Sequence, residues 1–189
     1  MSSKEQYIGQ YFGIQPQLLP QTATFFKEHA LLKNEYFCRQ GRNCNTLSFI
    51  RSGALRVFAY QDGKEVTQWI AAEGELITDL SSIMFGTTAR WEIQALSDCE
   101  LYSIERNDLN RLGDFIPNWP NLEKTFISKC FLMLEDRVFS FLSMTAEERY
   151  QQFLVKRMHL FNEVPHQYIA SMLGMTPETL SRLRNKNLK

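Results

Sequence analysis

Short apolar segments alternate with polar turns between residues 34 and 106, and this pattern predicts an all-β unit. The segments TLSFI, ALRVFAY, EVTQWIA, EIQAL and ELYSI are separated by Gly, Asp and Asn, which is typical of strands at regular spacing. The YQDGKE stretch predicts a hairpin with Asp62 and Gly63 in a two-residue turn, because glycine tolerates the positive φ that this turn requires. The corners of a β-roll are expected at Gly41, Gly53 and Gly74.

Helical spacing of apolar residues is present on both sides of this unit. Residues 17–32 predict a short helix. After two prolines, residues 121–143 predict a long helix of about 35 Å, at ~1.5 Å per residue. Thr145 and Glu148 then form the sequence signature of a capping box, so a further helix is expected to begin there.

The predicted helix over 121–143 is apolar on two sides. Leu132 and Phe139 lie opposite the main apolar face, and a helix with two apolar sides must be covered on both. We expect the β unit to cover one side and the same helix of a second subunit to cover the other, which predicts a homodimer. Cover by the chain's own C-terminal part is the alternative. The main face consists of Phe126, Ile127, Cys130, Leu134, Val138 and Phe141.

The composition is that of an ordinary globular protein. Hydrophobic residues make up 44% of the 189 residues and charged residues 22%, and no run approaches the ~18 apolar residues of a membrane helix. The first residues lack the apolar stretch of a signal peptide. A cytoplasmic protein without a membrane partner is therefore expected.

Cysteine and histidine are too scattered to predict metal or catalytic chemistry. The four cysteines form no C-x-x-C pair, so buried, reduced thiols are expected rather than ligands of zinc or an iron–sulfur cluster. An enzyme on a cupin-like β-roll needs clustered histidines around a metal, and residues 34–116 contain no histidine. No Ser-His-Asp or Cys-His arrangement is evident either. We therefore expect no catalytic residues, no metal site and no enzyme activity.

A net charge of zero hides an uneven distribution along the chain. Residues 1–148 carry 14 Lys and Arg against 19 Asp and Glu, whereas residues 149–189 carry 7 against 2. An acidic body with a basic end indicates that the end meets an anion, and nucleic acid is the commonest large anion.

The segment HQYIASMLGMTPETLSRLR, residues 166–184, predicts two short helices joined by a tight turn. Ala170 lets the second helix cross close to the first, and Gly174 provides the turn, where φ is expected to be positive. Thr176 is a good N-cap, and Pro177 suits the first helical position. Apolar contacts between the helices are expected from Ile169, Leu173, Leu180 and Leu183, with Met175 covering them.

This pattern is a helix-turn-helix, in which the N-terminal half of the second helix enters the major groove. A recognition helix over about 177–186 would expose Glu178, Thr179, Ser181 and Arg182 in that half. Arginine can hold a guanine edge with two hydrogen bonds, and glutamate can accept one from cytosine N4. Contacts to phosphates are expected from Arg184, Lys186 and Lys189.

On these segments the chain resembles the Crp/Fnr family of bacterial transcription regulators over nearly its whole length. The stretch RQGRNCNTLSFIRSGALRVFAYQDGKEVTQWIAAEGELITDL resembles the family's cyclic-nucleotide-binding-like β-roll, the long helix resembles its dimerisation helix, and ETLSR resembles its recognition helix. The resemblance implies double-stranded DNA as a partner and adds RNA polymerase as a candidate partner. It also implies that Gln167, in the first helix, contacts phosphate.

The recognition helix departs from the family pattern at one position. The family often carries R-E-T-x-x-R, and this chain has P-E-T-L-S-R. Glu178 and Arg182 match base-contacting positions, but Pro177 replaces the first arginine, so one base contact is expected to be lost. No segment for the family's β wing follows, so its backbone contacts are not expected. The candidate DNA-binding residues are Gln167, Thr176, Glu178, Thr179, Ser181, Arg182, Arg184 and Lys186.

The cyclic-nucleotide contacts of the family are not matched. Thr78-Asp79-Leu80 takes the place of G-E-L, and Ala89-Arg90-Trp91 takes the place of R-S-A. Arg90 comes one residue late, and a one-residue shift in a strand turns a side chain to the other face. We therefore expect no cyclic nucleotide and no other cofactor, with Arg90 at the surface and Trp91 packed. The candidate ligand pocket consists of Asp79, Leu80, Thr88, Ala89 and Arg90.

The sequence thus predicts an α+β chain of three parts. These are a β-roll of the double-stranded β-helix or jelly-roll type over residues 1–116, a long dimerisation helix over 117–143 and a short helix-turn-helix domain over 144–189. The predicted function is that of a homodimeric DNA-binding transcription regulator, whose β-roll senses an unidentified effector or serves as a scaffold. The alternative is a ligand-binding or interaction module whose helical end has lost DNA binding.

Overall fold

The structure, a computed structural model, describes residues 1–187, and its N-terminal part is an antiparallel β-roll. Two four-stranded sheets face each other, with strand orders β1-β8-β3-β6 and β2-β7-β4-β5. The α+β class with an N-terminal roll and C-terminal helices is therefore confirmed. The strands are β1 (Lys27–Leu31), β2 (Tyr36–Cys38), β3 (Thr46–Ser52), β4 (Leu55–Gln61), β5 (Lys64–Ala71), β6 (Leu76–Ile77), β7 (Glu92–Ala95) and β8 (Cys99–Glu105).

Helices precede, interrupt and follow the roll. The last five follow one another from residue 119 onward and include the long helix that the sequence predicts. The helices are α1 (Ser3–Phe12), α2 (Leu19–Ala23), α3 (Leu80–Phe85), α4 (Arg106–Arg111), α5 (Trp119–Ser143), α6 (Ala146–Arg157), α7 (Leu160–Glu163), α8 (His166–Met172) and α9 (Pro177–Asn187). No helix within residues 1–187 combines the length and the apolar character needed to cross a membrane.

The predicted helix over 17–32 is wrong in its second half. A short 3-10 helix (Pro16–Leu18) and α2 form the first half, and the chain then enters β1, where Lys27 pairs with Ser103 and Leu31 with Cys99 of β8. Hydrogen bonds to a distant strand outweigh a short helical pattern. The sequence pattern also missed α1, which begins at a capping box formed by Ser2 and Glu5.

The β4–β5 hairpin confirms the predicted turn. Gln61 pairs with Lys64 across it, and both turn residues have positive φ, 51° at Asp62 and 73° at Gly63. This is the backbone of a two-residue hairpin turn whose twist matches the strands. The predicted corners also have positive φ, at Gly41, Gly53 and Gly74.

Strand β3 is covered on both faces, which explains the unbroken run of buried residues from Leu47 to Ile50. Ile50 lies in the interior of the roll, whereas Leu47 and Phe49 pack on its outside against the helices. Residues two apart share a face of a strand, so one strand serves both cores. Phe12 of α1 and Phe126 of α5 meet there, with ring centroids 5.2 Å apart.

Three of the four free cysteines, Cys38, Cys44 and Cys99, are buried and Cys130 is half-buried, as the sequence predicts. A hydrogen bond between the side chains of Cys38 and Cys44 lowers the pKa of Cys44 to about 7 and raises that of Cys38. Among residues 1–187, no three His, Cys, Asp or Glu side chains are grouped to hold a metal ion.

The first half of α5 packs on the chain itself, whereas most of its second half is exposed. Trp119 and Phe126 are buried, but the second half of the helix carries a continuous row of exposed apolar side chains. On the predicted main face, Leu134, Val138 and Phe141 are exposed, so the roll covers that face only as far as Cys130. We call the apolar side chains of α5 that are at least 48% exposed the α5 apolar surface: Phe131, Leu132, Met133, Leu134, Val138, Phe139 and Leu142.

Candidate nucleic-acid interface

Helices α8 and α9 form a terminal helix pair joined by the turn that the sequence predicts. Gly174 has a φ of +66°, and the backbone N–H of Met175 donates to the Ala170 carbonyl at 3.0 Å. A Cβ at Gly174 would lie 2.5 Å from Cε1 of Phe141 in α5, so the turn also approaches the long helix closely. Both observations require glycine at this position.

The two helices pack through the predicted apolar residues. Ala170 is fully buried, so the helices cross closely at that point. Tyr150 and Phe153 of α6 complete this cluster from the other side. The predicted contacts are confirmed as buried at Ile169, Leu173, Leu180 and Leu183, with Met175 half-buried against them.

The start of α9 is capped as predicted. Thr176 Oγ1 accepts a hydrogen bond from the Thr179 backbone N–H at 3.2 Å, and Pro177 is the first helical residue. Hydrogen bonds from its own backbone N–H and from the Thr176 side chain lower the pKa of Glu178. The Glu178 carboxylate therefore stays ionised at the positive end of the helix.

The outer face of α9 presents a polar row to the solvent. Pro177, Glu178, Ser181, Arg182 and Asn185 line one shallow concavity along it, and all five are exposed. Asn185 was not among the predicted contacts, although it stands four residues after Ser181 and thus on the same helical face. Thr179 was expected in this row but is half-buried, with its hydroxyl 3.2 Å from that of Thr176.

Two of the predicted phosphate contacts are bound to neighbouring helices. Arg184 Nη1 lies 2.8 Å from His166 Nδ1, and its guanidinium lies over the Phe161 ring at 4.8 Å. Lys186 forms an exposed ion pair with Glu147 of α6 at 2.7 Å. Both side chains thus help to hold α9 in place. Lys189 lies outside the described residues, and Gln167 is exposed at the start of α8.

The back of the terminal helix pair is docked on strand β5 of the roll. The Thr67 backbone N–H donates to Ser171 Oγ at 2.9 Å, which joins β5 to α8. Tyr168 lies over the guanidinium of the buried Arg56, with the centroid 3.8 Å from Cζ. The docked side and the polar row of α9 therefore belong to different faces of the pair.

The residues of the candidate ligand pocket differ in exposure and in contacts. Asp79 is buried and accepts hydrogen bonds from the backbone N–H groups of Ser82 at 2.9 Å and Arg90 at 2.7 Å. Its carboxylate therefore holds α3 and the loop before β7 together. Ala89 packs in the roll interior, whereas Leu80, Thr88 and Arg90 are exposed. The Arg90 guanidinium lies over Trp91, 5.8 Å from the ring centroid.

Comparison with known proteins relates the roll to one domain family. Residues 28–114 match the family model described as cyclic nucleotide-binding domain. This range runs from β1 through α4 and leaves out α5 and the terminal helix pair. Comparison with curated proteins gave no match.

Solved structures resemble nearly the whole chain. FixK2 from Bradyrhizobium japonicum is 18% identical, with a TM-score of 0.74 over 85% of this chain and 83% of that chain. A transcriptional regulator of the crp/fnr family from Eubacterium rectale is 17% identical, with a TM-score of 0.69 over 94% and 85%. The Catabolite Activator Protein of Thermus thermophilus is 21% identical, with a TM-score of 0.59 over 92% and 84%. The chain therefore shares their fold.

Proposed function

We propose that the chain is a DNA-binding transcription regulator of the Crp/Fnr type that acts as a homodimer. The polar row on α9 is the observation that carries this proposal. Glu178, Ser181, Arg182 and Asn185 lie exposed on one face, while Leu180 and Leu183 on the other face are buried. A helix whose apolar face packs on the protein and whose polar face is exposed can insert into the major groove. In this proposal α8 and α9 are a helix-turn-helix motif.

The exposure of each side chain on α8 and α9 indicates which part of the DNA it would contact. Arg182 is exposed near the middle of the row and is the candidate for a guanine edge, with Glu178 and Ser181 beside it. Gln167 and the exposed edge around Thr176 are candidates for phosphate contacts, which position a protein without reading sequence. Arg184 contacts His166 and Lys186 pairs with Glu147, so the main role of both side chains is to hold α9 in position.

The α5 apolar surface supports the homodimer. Exposed apolar side chains continue over three turns of α5, from Phe131 to Leu142, and a monomer rarely leaves such a stripe in water. A two-fold pairing of α5 with its copy would cover both stripes at once. The two α9 helices would then read half-sites about one DNA turn, ~34 Å, apart.

The roll acts as a scaffold in this proposal, without a bound cyclic nucleotide or other cofactor. The Asp79 carboxylate is already used by the backbone of Ser82 and Arg90, and Arg90 lies on Trp91. Catalytic chemistry is not proposed. The similar structures include a transcriptional regulator of the crp/fnr family and a catabolite activator protein, which favours regulation over enzyme activity. RNA polymerase and a cytoplasmic location belong to the same proposal.

One observation favours the second candidate, an interaction module without DNA binding. Two cations of α9, Arg184 and Lys186, are engaged within the protein, which leaves Arg182 as the exposed arginine on the polar row. The two candidates differ in salt dependence, because phosphate contacts release counterions and binding then weakens steeply as salt rises.

Selection of bound DNA from a random duplex pool tests the proposal. The purified full chain is used at moderate salt without added ligand, and an Arg111→Ala variant, altered far from α9, serves as the matched control. Enrichment of a two-fold symmetric site by both proteins is the expected result. A pool that stays unenriched, with retention that does not fall as salt rises, would favour the interaction module.

A further inference from the structure

A cavity lies at the junction of α5, α6, α8 and β5, away from both the polar row of α9 and the candidate pocket in the roll. Its volume is about 470 Å³, which is within the range of small-molecule sites, ~300–1,000 Å³. Trp69 of β5 and Phe141 of α5 contribute aromatic surface, and Met172 lines it from α8. We call it the junction cavity.

Positive charge dominates the wall of the junction cavity. Its lining contains Arg137, Arg149, Lys156 and Arg157 but a single carboxylate, that of Asp136. Within residues 1–187, neither Arg137 nor Arg149 forms an ion pair with a carboxylate. Guanidinium groups in partly buried positions are normally matched by an anion, because a desolvated and unpaired charge is unfavourable.

Arg137 and Arg149 instead donate to backbone carbonyls at the helix ends. Arg137 Nη2 donates to the Met172 oxygen at 2.8 Å, and Arg149 Nε donates to the Leu173 oxygen at 3.0 Å. Arg149 Nη1 also donates to the Met144 oxygen at 2.7 Å. These bonds fix the two guanidinium groups, and the partial negative charge of the helix-end carbonyls compensates their positive charge only in part.

Arg157 is a further cation in the same wall. Its Nη2 donates to the Ile70 carbonyl at 2.7 Å and to Glu75 Oε2 at 2.9 Å, but its buried Nη1 has no hydrogen-bond partner. A buried donor without an acceptor is rare in folded proteins. Burial lowers the pKa of Arg137, and the nearby charge of Arg157 lowers it further.

Aromatic faces lie between these cations. The guanidinium groups of Arg137 and Arg157 lie over the Trp69 ring, with Cζ 5.3 Å and 4.5 Å from its centroid. Those of Arg137 and Arg149 lie over the Phe141 ring, at 5.1 Å and 4.9 Å. A cavity wall made of ring faces and fixed guanidinium groups suits a flat group that carries an anion.

We propose that the junction cavity binds a small ligand in which a carboxylate or phosphate is attached to a planar aromatic group. The anion would be held by Arg137 and Arg149, and the ring would lie against Trp69 or Phe141. Since the site includes the Met172 and Leu173 carbonyls, which precede the Gly174 turn, occupancy would also bias the position of the terminal helix pair. That last consequence rests on the proposed function.

Binding is tested on the full chain without DNA, so that its outcome is independent of DNA recognition. The probes are benzoate, phenyl phosphate and adenosine 5′-monophosphate, each titrated to about 10 mM, where fragment-sized ligands are detected. Benzamide tests the ring without the anion, and inorganic phosphate tests the anion without the ring. Tryptophan fluorescence and thermal shift report binding, and a Trp69→Phe variant assigns the fluorescence change to the cavity.

The expected result is saturable binding of one of the ring-bearing anions, with at least about tenfold weaker binding of benzamide and inorganic phosphate. Tighter binding of benzoate would identify the anion of the ligand as a carboxylate. Tighter binding of phenyl phosphate and adenosine 5′-monophosphate would identify it as a phosphate. Arg137→Gln should weaken binding about tenfold or more, Arg137→Lys less, and the exposed Arg111→Gln not at all. Absence of binding by all three ring-bearing anions, or equal binding by Arg137→Gln in a folded protein, overturns the proposal.

Discussion

The guanidinium of Arg56 in β4 lies 3.8 Å from the ring centroid of Tyr168 in α8, and this contact joins the roll to the terminal helix pair. Arg56 is only 1% exposed. Its Nε donates to Thr67 Oγ1 at 2.8 Å, and its Nη1 pairs with Glu65 at 2.6 Å. A buried cation therefore depends on one carboxylate at the edge of the interface.

We expect Glu65→Ala to lower the free energy of unfolding by about 2 kcal/mol, because it leaves the Arg56 charge buried without its partner. This expected loss in the free energy of unfolding is smaller than that for a fully buried ion pair, because Glu65 is partly exposed. Arg56→Met keeps the apolar stem and removes the charge, so adding Glu65→Ala to it should have little further effect. Urea unfolding of the four proteins measures this cycle, and equal effects of Glu65→Ala in both backgrounds would contradict the coupling.

Gly174→Ala tests the turn between α8 and α9. Two unfavourable effects combine there, because φ is +66° and the new Cβ would clash with the Phe141 ring. Gly63→Ala is the matched control, with a φ of +73° and nothing within 4 Å of its Cβ. Thermal and urea unfolding should show that Gly174→Ala loses at least about 1 kcal/mol more than Gly63→Ala. Similar losses would mean that Phe141 moves aside freely.

Arg182→Ala and Arg184→Ala should have different effects on DNA binding and on the melting temperature. Arg182 is exposed on the polar row, so its removal should abolish sequence preference in DNA binding and leave the melting temperature unchanged. Arg184 contacts His166 and lies over Phe161, so its removal should lower the melting temperature and weaken binding to all sequences. Unchanged site selection and affinity in Arg182→Ala would show that α9 is not the reading helix.

Phe139→Asp should convert the proposed dimer to a monomer. Phe139 is 68% exposed in the α5 apolar surface, and a charge there would be desolvated on pairing with a second copy. Val155→Asp on α6 is the control, because Val155 is 86% exposed but lies outside the α5 apolar surface. Light scattering after size exclusion measures both masses. A wild-type chain that is already monomeric at micromolar concentration, or a dimeric Phe139→Asp, would contradict the assignment.

The sequence predicted the parts of the fold that depend on local chemistry. The Asp62-Gly63 turn, the Thr145 capping box and the Gly174 turn follow from backbone preferences, and all three are present. It failed where a distant strand decides the structure, as in β1, where Lys27 pairs with Ser103.

The surroundings of the candidate site depend equally on distant contacts. Thr67 and Ser171, which dock α8 on β5, are separated by 104 residues, and no local pattern links them. The cations of the junction cavity come from α5 and α6, so their shared location was invisible in the sequence. In contrast, the i+4 spacing from Ser181 to Asn185 was sufficient to predict a shared face, so Asn185 was within reach of sequence analysis.

The start of α6 should stabilise the protein in a pH-dependent manner. Glu148 accepts hydrogen bonds from the Thr145 backbone N–H at 2.7 Å and from its hydroxyl at 2.9 Å. These bonds lower the pKa of Glu148 below its ordinary value of 4.5. A carboxyl whose pKa is lowered by folding contributes stability above its unfolded pKa, and that contribution is lost as the pH falls through the folded pKa.

Two variants measure this effect. Thr145→Ala should lower the free energy of unfolding by about 1 kcal/mol near neutral pH, whereas Thr145→Ser, which keeps the hydroxyl, should lose much less. Glu148→Gln should be less stable than the wild type at neutral pH, and the difference should shrink as the pH falls below 4.5, because the wild-type carboxylate then becomes protonated. Urea unfolding at a series of pH values gives the comparison. A difference that stays constant down to about pH 3 would show that the ionised carboxylate does not stabilise the beginning of α6.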